Sequence, residues 1–133
     1  MPNRILIVED HPDTRNSLQQ LLQLSGFDVL TADNGQQGLM KATAHFPDLI
    51  VTDVMMPVMD GLELVRELRS SAAFRDTPII VISAYITKAA EAVHLGANDV
   101  LPKPLDPNLL IERIETLLAG VIKSSGERTR AEC

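Results

Sequence analysis

Five polar residues in this chain could do chemistry together: Glu9, Asp10, Asp53, Ser83 and Lys103. Each stands just after an apolar run. Glu9-Asp10 follows Ile5-Leu6-Ile7-Val8, Asp53 follows Leu49-Ile50-Val51-Thr52, Ser83 follows Ile79 to Ile82, and Lys103 comes after Val100-Leu101-Pro102. A carboxylate held at a strand end can attack phosphorus and become an aspartyl phosphate. Alone, Asp53 reads as a helix cap or loop carboxylate, and its partners change that reading.

Three carboxylates in one small pocket repel each other. At about 4 Å and an effective dielectric near 20, each pair costs roughly 4 kcal/mol. A divalent cation offsets this, and Mg²⁺ suits a few carboxylates, a backbone carbonyl and waters. Zinc suits the set less well, because the chain has no Cys or His cluster. Lys103 supplies a point charge for one phosphoryl oxygen and Ser83 a hydroxyl donor for another. Asp53 would then attack in line while charge on the equatorial oxygens is neutralised.

The elements must bring these residues to one place. Arg4 to Val8, Phe27 to Ala32, Leu49 to Val51, Ile79 to Ile82 and Val100-Leu101 read as strands. Helices are expected between them: from Pro12 or Asp13 to Gly26, from Asn34-Gly35 to His45, after Gly61, from Lys88 to Leu95, and from Asp106 or Pro107 onward. Leu18, Leu21 and Leu22 give the first helix its buried stripe, and Leu110, Ile114, Leu117, Leu118 and Val121 the last. Alternating strands and helices imply a mostly parallel sheet covered on both faces, with right-handed crossovers. In such a sheet every polar strand end falls on one edge, where ligands collect. The expectation is a single α/β three-layer sandwich over residues 1–120, with 121–133 a polar tail or linker that frays from Gly120.

Composition narrows the function. A chain of 133 residues fits one domain with a real core. It lacks tryptophan and has few aromatics, which argues against base-stacking platforms. A formal charge of -6 argues against nucleic acid or a membrane surface as the main partner. The single cysteine, Cys133, excludes an internal disulfide and suits a reducing, cytoplasmic setting. No apolar run reaches spanning length, and the N-terminus lacks a signal-peptide pattern.

Taken in order, Ile5-Leu6-Ile7-Val8-Glu9-Asp10, Asp53-Val54-Met55-Met56-Pro57-Val58-Met59-Asp60-Gly61, Ser83-Ala84, Gly96-Ala97-Asn98-Asp99 and Lys103-Pro104 resemble the receiver domain of two-component response regulators. The resemblance covers about Asn3 to Ala119. It implies a flavodoxin-like, doubly wound five-stranded sheet in order 2-1-3-4-5 with five helices. It implies that Asp53 accepts a phosphoryl group from a sensor histidine kinase or phosphotransfer protein. Glu9, Asp10 and Asp53 would ligate Mg²⁺ by side chain and Met55 by its backbone carbonyl, with Ser83 and Lys103 on the phosphoryl oxygens. The Lys103-Pro104 peptide is expected to be cis. Phosphorylation would draw Ser83 inward and shift the face of the fourth helix, fifth strand and fifth helix. The output is then a downstream partner, a detached effector domain, or a homodimer through the last two helices.

One position departs from the family pattern. Val100 stands three residues before Lys103, where the family usually carries a switching aromatic ring. Tyr85, two residues after Ser83, is the only tyrosine and is expected either to cover the site and share the switch or to be a half-exposed loop residue. His11 reads as a loop residue near the site, and His45 and His94 as solvated. Met55, Met56 and Met59 read as loop and packing residues, and Arg66, Glu67 and Arg69 as a solvated helix face. Glu112 and Arg113 could meet a partner. Two other function classes compete. An aspartate phosphatase usually needs a second acid where Met55 stands. A receiver-like module that signals without phosphorylation should lack a pocket residue, and this chain keeps all five.

Overall fold

The structure, a computed structural model, describes residues 2–128, with side chains described through Gly120. Among the described residues, strands β1 (Arg4–Val8), β2 (Asp28–Ala32), β3 (Leu49–Asp53), β4 (Ile79–Ser83) and β5 (Asp99–Pro102) alternate with helices α1 (Pro12–Leu24), α2 (Gly35–His45), α3 (Gly61–Arg69), α4 (Ile86–Leu95) and α5 (Pro107–Arg128). The strands form one sheet in the order β2-β1-β3-β4-β5, every pair parallel. This is the doubly wound architecture expected from the alternation.

Side-chain alternation along each strand divides the core in two. Leu6, Val8, Ile50, Ile79 and Val81 pack with Ala42 of α2, Leu64, Val65 and Leu68 of α3, and Ala92 of α4. Ile5, Ile7, Leu49, Val51, Ile80 and Ile82 pack on the other face with Leu18 and Leu22 of α1 and Leu110, Ile114 and Leu118 of α5. The central strands β3 and β4 are buried at all five positions, which is why they read as unbroken apolar runs rather than alternating ones. Caps fix where two helices begin. Asn34 accepts a hydrogen bond from the Gln37 amide at 2.8 Å, and Asp60 from the Glu63 amide at 2.9 Å.

Several boundaries and side chains differ from the sequence reading. β5 pairs over Asp99–Pro102 rather than Val100-Leu101 alone, and α4 starts at Ile86 rather than Lys88. The polar stretch before β4 holds a single 3₁₀ turn, Ala72–Phe74, whose Phe74 is buried in the core and stacks on Phe46 at 5.7 Å. Helix α5 runs on to Arg128 although composition turns polar after Gly120. The side chain of Val121, and Cys133, lie outside what is described.

Arg69 corrects the expectation of a solvated face. It donates to the Gly96 carbonyl at 3.0 Å, the Phe74 carbonyl at 2.6 Å and Asn98 Oδ1 at 2.8 Å. Asn98 Oδ1 also accepts from the Ile79 amide at 2.8 Å. The last turn of α3 thus carries its guanidinium over the start of β4, onto these three oxygens. Burial lowers the Arg69 pKa, and nearby Asp76 opposes that shift. No helix among the described residues is long and apolar enough to cross a membrane.

Candidate functional site

Parallel pairing puts the ends of β1, β3, β4 and β5 on one edge of the sheet. Glu9 follows β1, Asp53 ends β3, Ser83 ends β4, and Lys103 follows β5. The backbone ties the rim together, since the Lys103 amide donates to the Ser83 carbonyl at 3.1 Å and the Glu9 amide to the Ala32 carbonyl at 3.0 Å.

At the centre, Lys103 Nζ lies 2.9 Å from Asp53 Oδ1. The Asp53 side chain is 3% exposed. Its Oδ1 also accepts from the Val54 amide at 2.9 Å. Both contacts fall on the same oxygen.

Glu9 and Asp10 occupy the neighbouring turn. Burial pushes the Glu9 carboxyl above the usual carboxylate range. The His11 amide counters that, the Asp53 charge adds to it, and the His11 ring and Lys103 oppose it. Arg15 of α1 fixes the main chain here by donating to the Glu9 carbonyl at 2.9 Å. Asp10 Oδ1 is buried without a hydrogen-bond partner, an orphaned acceptor of the kind a cation would satisfy. His11 Nδ1 stands 3.4 Å from that atom, within ion-pair range but without hydrogen-bond geometry. One donor atom each from Glu9, Asp10 and His11 lie within 4.8 Å of one another. Asp53 pairs with Lys103 through Oδ1, and its charge is felt at Glu9.

Ser83 sits at the rim. Its hydroxyl donates to the Tyr85 carbonyl and accepts from the Tyr85 amide, both at 3.1 Å. Tyr85 caps α4 and is 59% exposed. It borders a hollow of about 190 Å³ lined in part by Ser83, Val100 and Lys103. Val100 is partly buried and packs against the core. A second opening, about 350 Å³, lies between Glu9, His11, Lys103 and Pro104. The Lys103-Pro104 peptide is cis, as the resemblance implied.

The loop after Asp53 is held by close backbone approach. The Gly61 amide donates to the Val54 carbonyl at 2.8 Å, and the Gly35 amide to the Met59 carbonyl at 2.9 Å. A Cβ at Gly61 would fall 2.0 Å from the Asp53 carbonyl oxygen. Met56 and Met59 pack against the core while Met55 is exposed, in keeping with loop and packing roles. Within the loop Val58 takes φ +70°, a strained conformation for a β-branched residue. His45 and His94 are exposed. Arg113 is paired with Asp99 at 2.8 Å.

Sequence reasoning brought the acids, the serine and the lysine to one rim. It missed the turn of His11 toward both acids and the grip of Arg15. Adjacency of His11 to Glu9-Asp10 was the available signal for the first. Nothing local signals the second.

Residues 5–115 match the response regulator receiver domain. The chain is 38% identical over 128 residues to the response regulator MprA of Mycolicibacterium vanbaalenii, a match covering 95% of this chain and 54% of that protein. It therefore spans about half the length of this curated relative. Its fold is similar to the chemotaxis response regulator CheY4 of Vibrio cholerae, with TM-score 0.83, 32% identity, and coverage of 88% of this chain and 99% of that one. It is also similar to the response regulator TrrA of Thermotoga maritima, solved in complex with Mg(2+)-BeF, with TM-score 0.79, 32% identity, and coverage of 86% and 98%.

Proposed function

The chain belongs to the response regulator receiver domain family, and from that premise we propose that residues 1–120 form a phosphorylation switch with Asp53 as phosphoacceptor. The observation that carries this reading is the Asp53–Lys103 pair at 2.9 Å, beside the Glu9 and Asp10 carboxylates. The donor is a phosphohistidine on a sensor histidine kinase or phosphotransfer protein. A bond forms between Asp53 Oδ2 and phosphorus while the nitrogen–phosphorus bond breaks and the imidazole leaves. Oδ2 is assigned because Oδ1 holds both Lys103 and the Val54 amide.

Lys103 neutralises the carboxylate before transfer and binds a phosphoryl oxygen after it. Ser83 donates to another oxygen once its hydroxyl turns away from Tyr85. Glu9, Asp10 and Asp53 would hold Mg²⁺ by side chain, and Met55 by its main-chain carbonyl. The orphaned Asp10 Oδ1 supports that fit, as does the Mg(2+)-BeF complex of TrrA. When bound, the cation supplies charge neutralisation for the phosphoryl oxygens.

The added charge and the turn of Ser83 bias the α4–β5–α5 face toward or away from its partner. That partner is a downstream protein, a detached effector domain or a second copy of the chain. Beyond residue 120 the chain serves as a polar C-terminal tail or linker that begins within α5, and the setting is the cytoplasm. The chain assists its own phosphorylation and dephosphorylation and turns over no separate substrate.

Incubation with acetyl phosphate and Mg²⁺, read by intact mass, tests this reading. The wild type should gain one hydroxylamine-sensitive phosphoryl group, and Asp53→Asn none. Modification that persists in the variant overturns the assignment.

A further inference from the structure

Two cationic side chains that the phosphoryl switch does not use meet at a separate cavity. Arg15 of α1 and Lys41 of α2 border a hollow of about 180 Å³, shared with Thr31, Ala32, Asp33 and Gln37. β2 is an edge strand of the sheet. The hollow therefore lies at the outer end of the rim, whereas Asp53 ends the central strand β3.

Both cations are anchored by main-chain carbonyls. Arg15 donates through Nη1 to the Glu9 carbonyl at 2.9 Å, and Lys41 donates to the Thr31 carbonyl. A carbonyl occupies a donor but neutralises no charge, and guanidinium and ammonium groups each carry several donors. Among the described residues neither cation is paired with a carboxylate, Asp33 included. Acids outnumber bases in this chain, whose net charge is -6. Two half-buried cations left unpaired around one cavity are thus not a matter of scarce partners. A plainer account has Lys41 capping an edge carbonyl and Arg15 clamping the turn after β1. That explains the two hydrogen bonds, but not why both charges border the same polar hollow.

We propose that Arg15 and Lys41 form an oxyanion site for a phosphate group, free or as a monoester. Arg15 grips Glu9 through Nη1, which leaves Nε and Nη2 to meet two oxygens of a tetrahedral anion. The Lys41 ammonium meets a third as a point charge. At neutral pH a phosphate monoester carries close to two negative charges, matching the two unpaired cations. The hollow is several times the roughly 30 Å³ share of one water, room for one such group. Asp33 and Gln37 at its border are exposed, so an ester's remainder has a way out. Gln37 can add an amide donor, while the Asp33 charge opposes binding. The site needs no divalent cation and stands apart from phosphoryl transfer to Asp53.

Amide NMR of the full chain at neutral pH, titrated with inorganic phosphate and separately with phosphoserine, tests it. Chelator is present, and ionic strength is held constant with sodium chloride. Saturable shifts should centre on Arg15, Thr31, Asp33, Gln37 and Lys41, with a Kd of about 1 mM or tighter for one of the two ligands. Tighter phosphoserine marks a monoester site, and tighter inorganic phosphate a free-ion site. Lys41→Gln and Arg15→Gln should each weaken binding by about tenfold or more. Asp33→Asn should tighten it. Lys41→Arg keeps the charge and should retain most of the affinity. Shifts that do not saturate, or that centre on Val54, Ser83 and Lys103, overturn the proposal. So does an affinity unchanged in Lys41→Gln with an unchanged melt. Equal loss in Lys41→Gln and Lys41→Arg also overturns it, because Lys41 then acts through the Thr31 carbonyl rather than through its charge.

Discussion

Alanine at Gly61 should damage both stability and the site, and the structure gives the size of the effect. The new Cβ would lie 2.0 Å from the Asp53 carbonyl oxygen, 2.9 Å from the Asp53 carbonyl carbon and 3.0 Å from Val54 Cα. All three are backbone atoms at the buried end of β3, so no side chain can swing aside. Ordinary contact near 3.5 Å requires about 1.5 Å of separation. That movement breaks the Gly61 amide bond to the Val54 carbonyl, worth about 1 kcal/mol. Overpacking adds about 1–3 kcal/mol. The sum, about 2–4 kcal/mol, corresponds to a Tm lowered by roughly 8–16 °C for a domain of this size. A shift of that scale also misplaces Asp53, and displacements near 1 Å can cost about 10²-fold in rate. Acetyl phosphate labelling should slow accordingly. Gly120→Ala is the control, because nothing lies within 4 Å of its Cβ and it sits inside α5. There alanine should stabilise by about 0.5–1 kcal/mol through helix propensity. Far-UV circular dichroism melts of both variants decide the matter. A Gly61→Ala melt within about 2 °C of wild type would refute the steric account.

Three further outcomes are expected. Val58 holds φ +70° while 80% exposed, so Val58→Asn should relieve about 1–2 kcal/mol of left-handed strain and raise Tm by several degrees; an unchanged melt counts against strain there. Burial raises the folded pKa of Glu9, so its contribution to stability is fully present below about pH 4.3 and is lost as pH rises through the raised value. In chelator at neutral pH, Glu9→Gln should therefore melt higher than wild type, and the gap should close as pH falls into the ordinary carboxylate range. A lower melt for Glu9→Gln under those conditions would contradict the sign. Arg69→Ala strips donors from Gly96, Phe74 and Asn98 and should cost about 2–4 kcal/mol by denaturant titration, with acetyl phosphate labelling preserved because this cluster sits at the other end of the sheet from Asp53.

The sequence by itself determined the fold class and the shared sheet edge on which the polar strand ends stand. Both are written in consecutive residues: apolar runs of strand length, helices of matching period, and a polar residue after each of four runs. Parallel pairing then leaves those polar ends no alternative to a shared edge. The Asp60-Gly61 turn was legible for the same local reason, and the cis Lys103-Pro104 peptide from the family resemblance. Tertiary structure decided which groups face which. Asp53 and Lys103 are fifty residues apart, and only strand order and side-chain rotation pair them while leaving Glu9 and Asp10 to His11. Arg69 looked like any charged residue on a helix until the Gly96 and Phe74 carbonyls stood opposite it. Gly61 and Gly120 are the same residue in sequence, yet one touches the backbone of Asp53 and the other touches nothing. Local propensity cannot separate such cases, because contact between distant segments is fixed only when sheet register and crossovers bring them together.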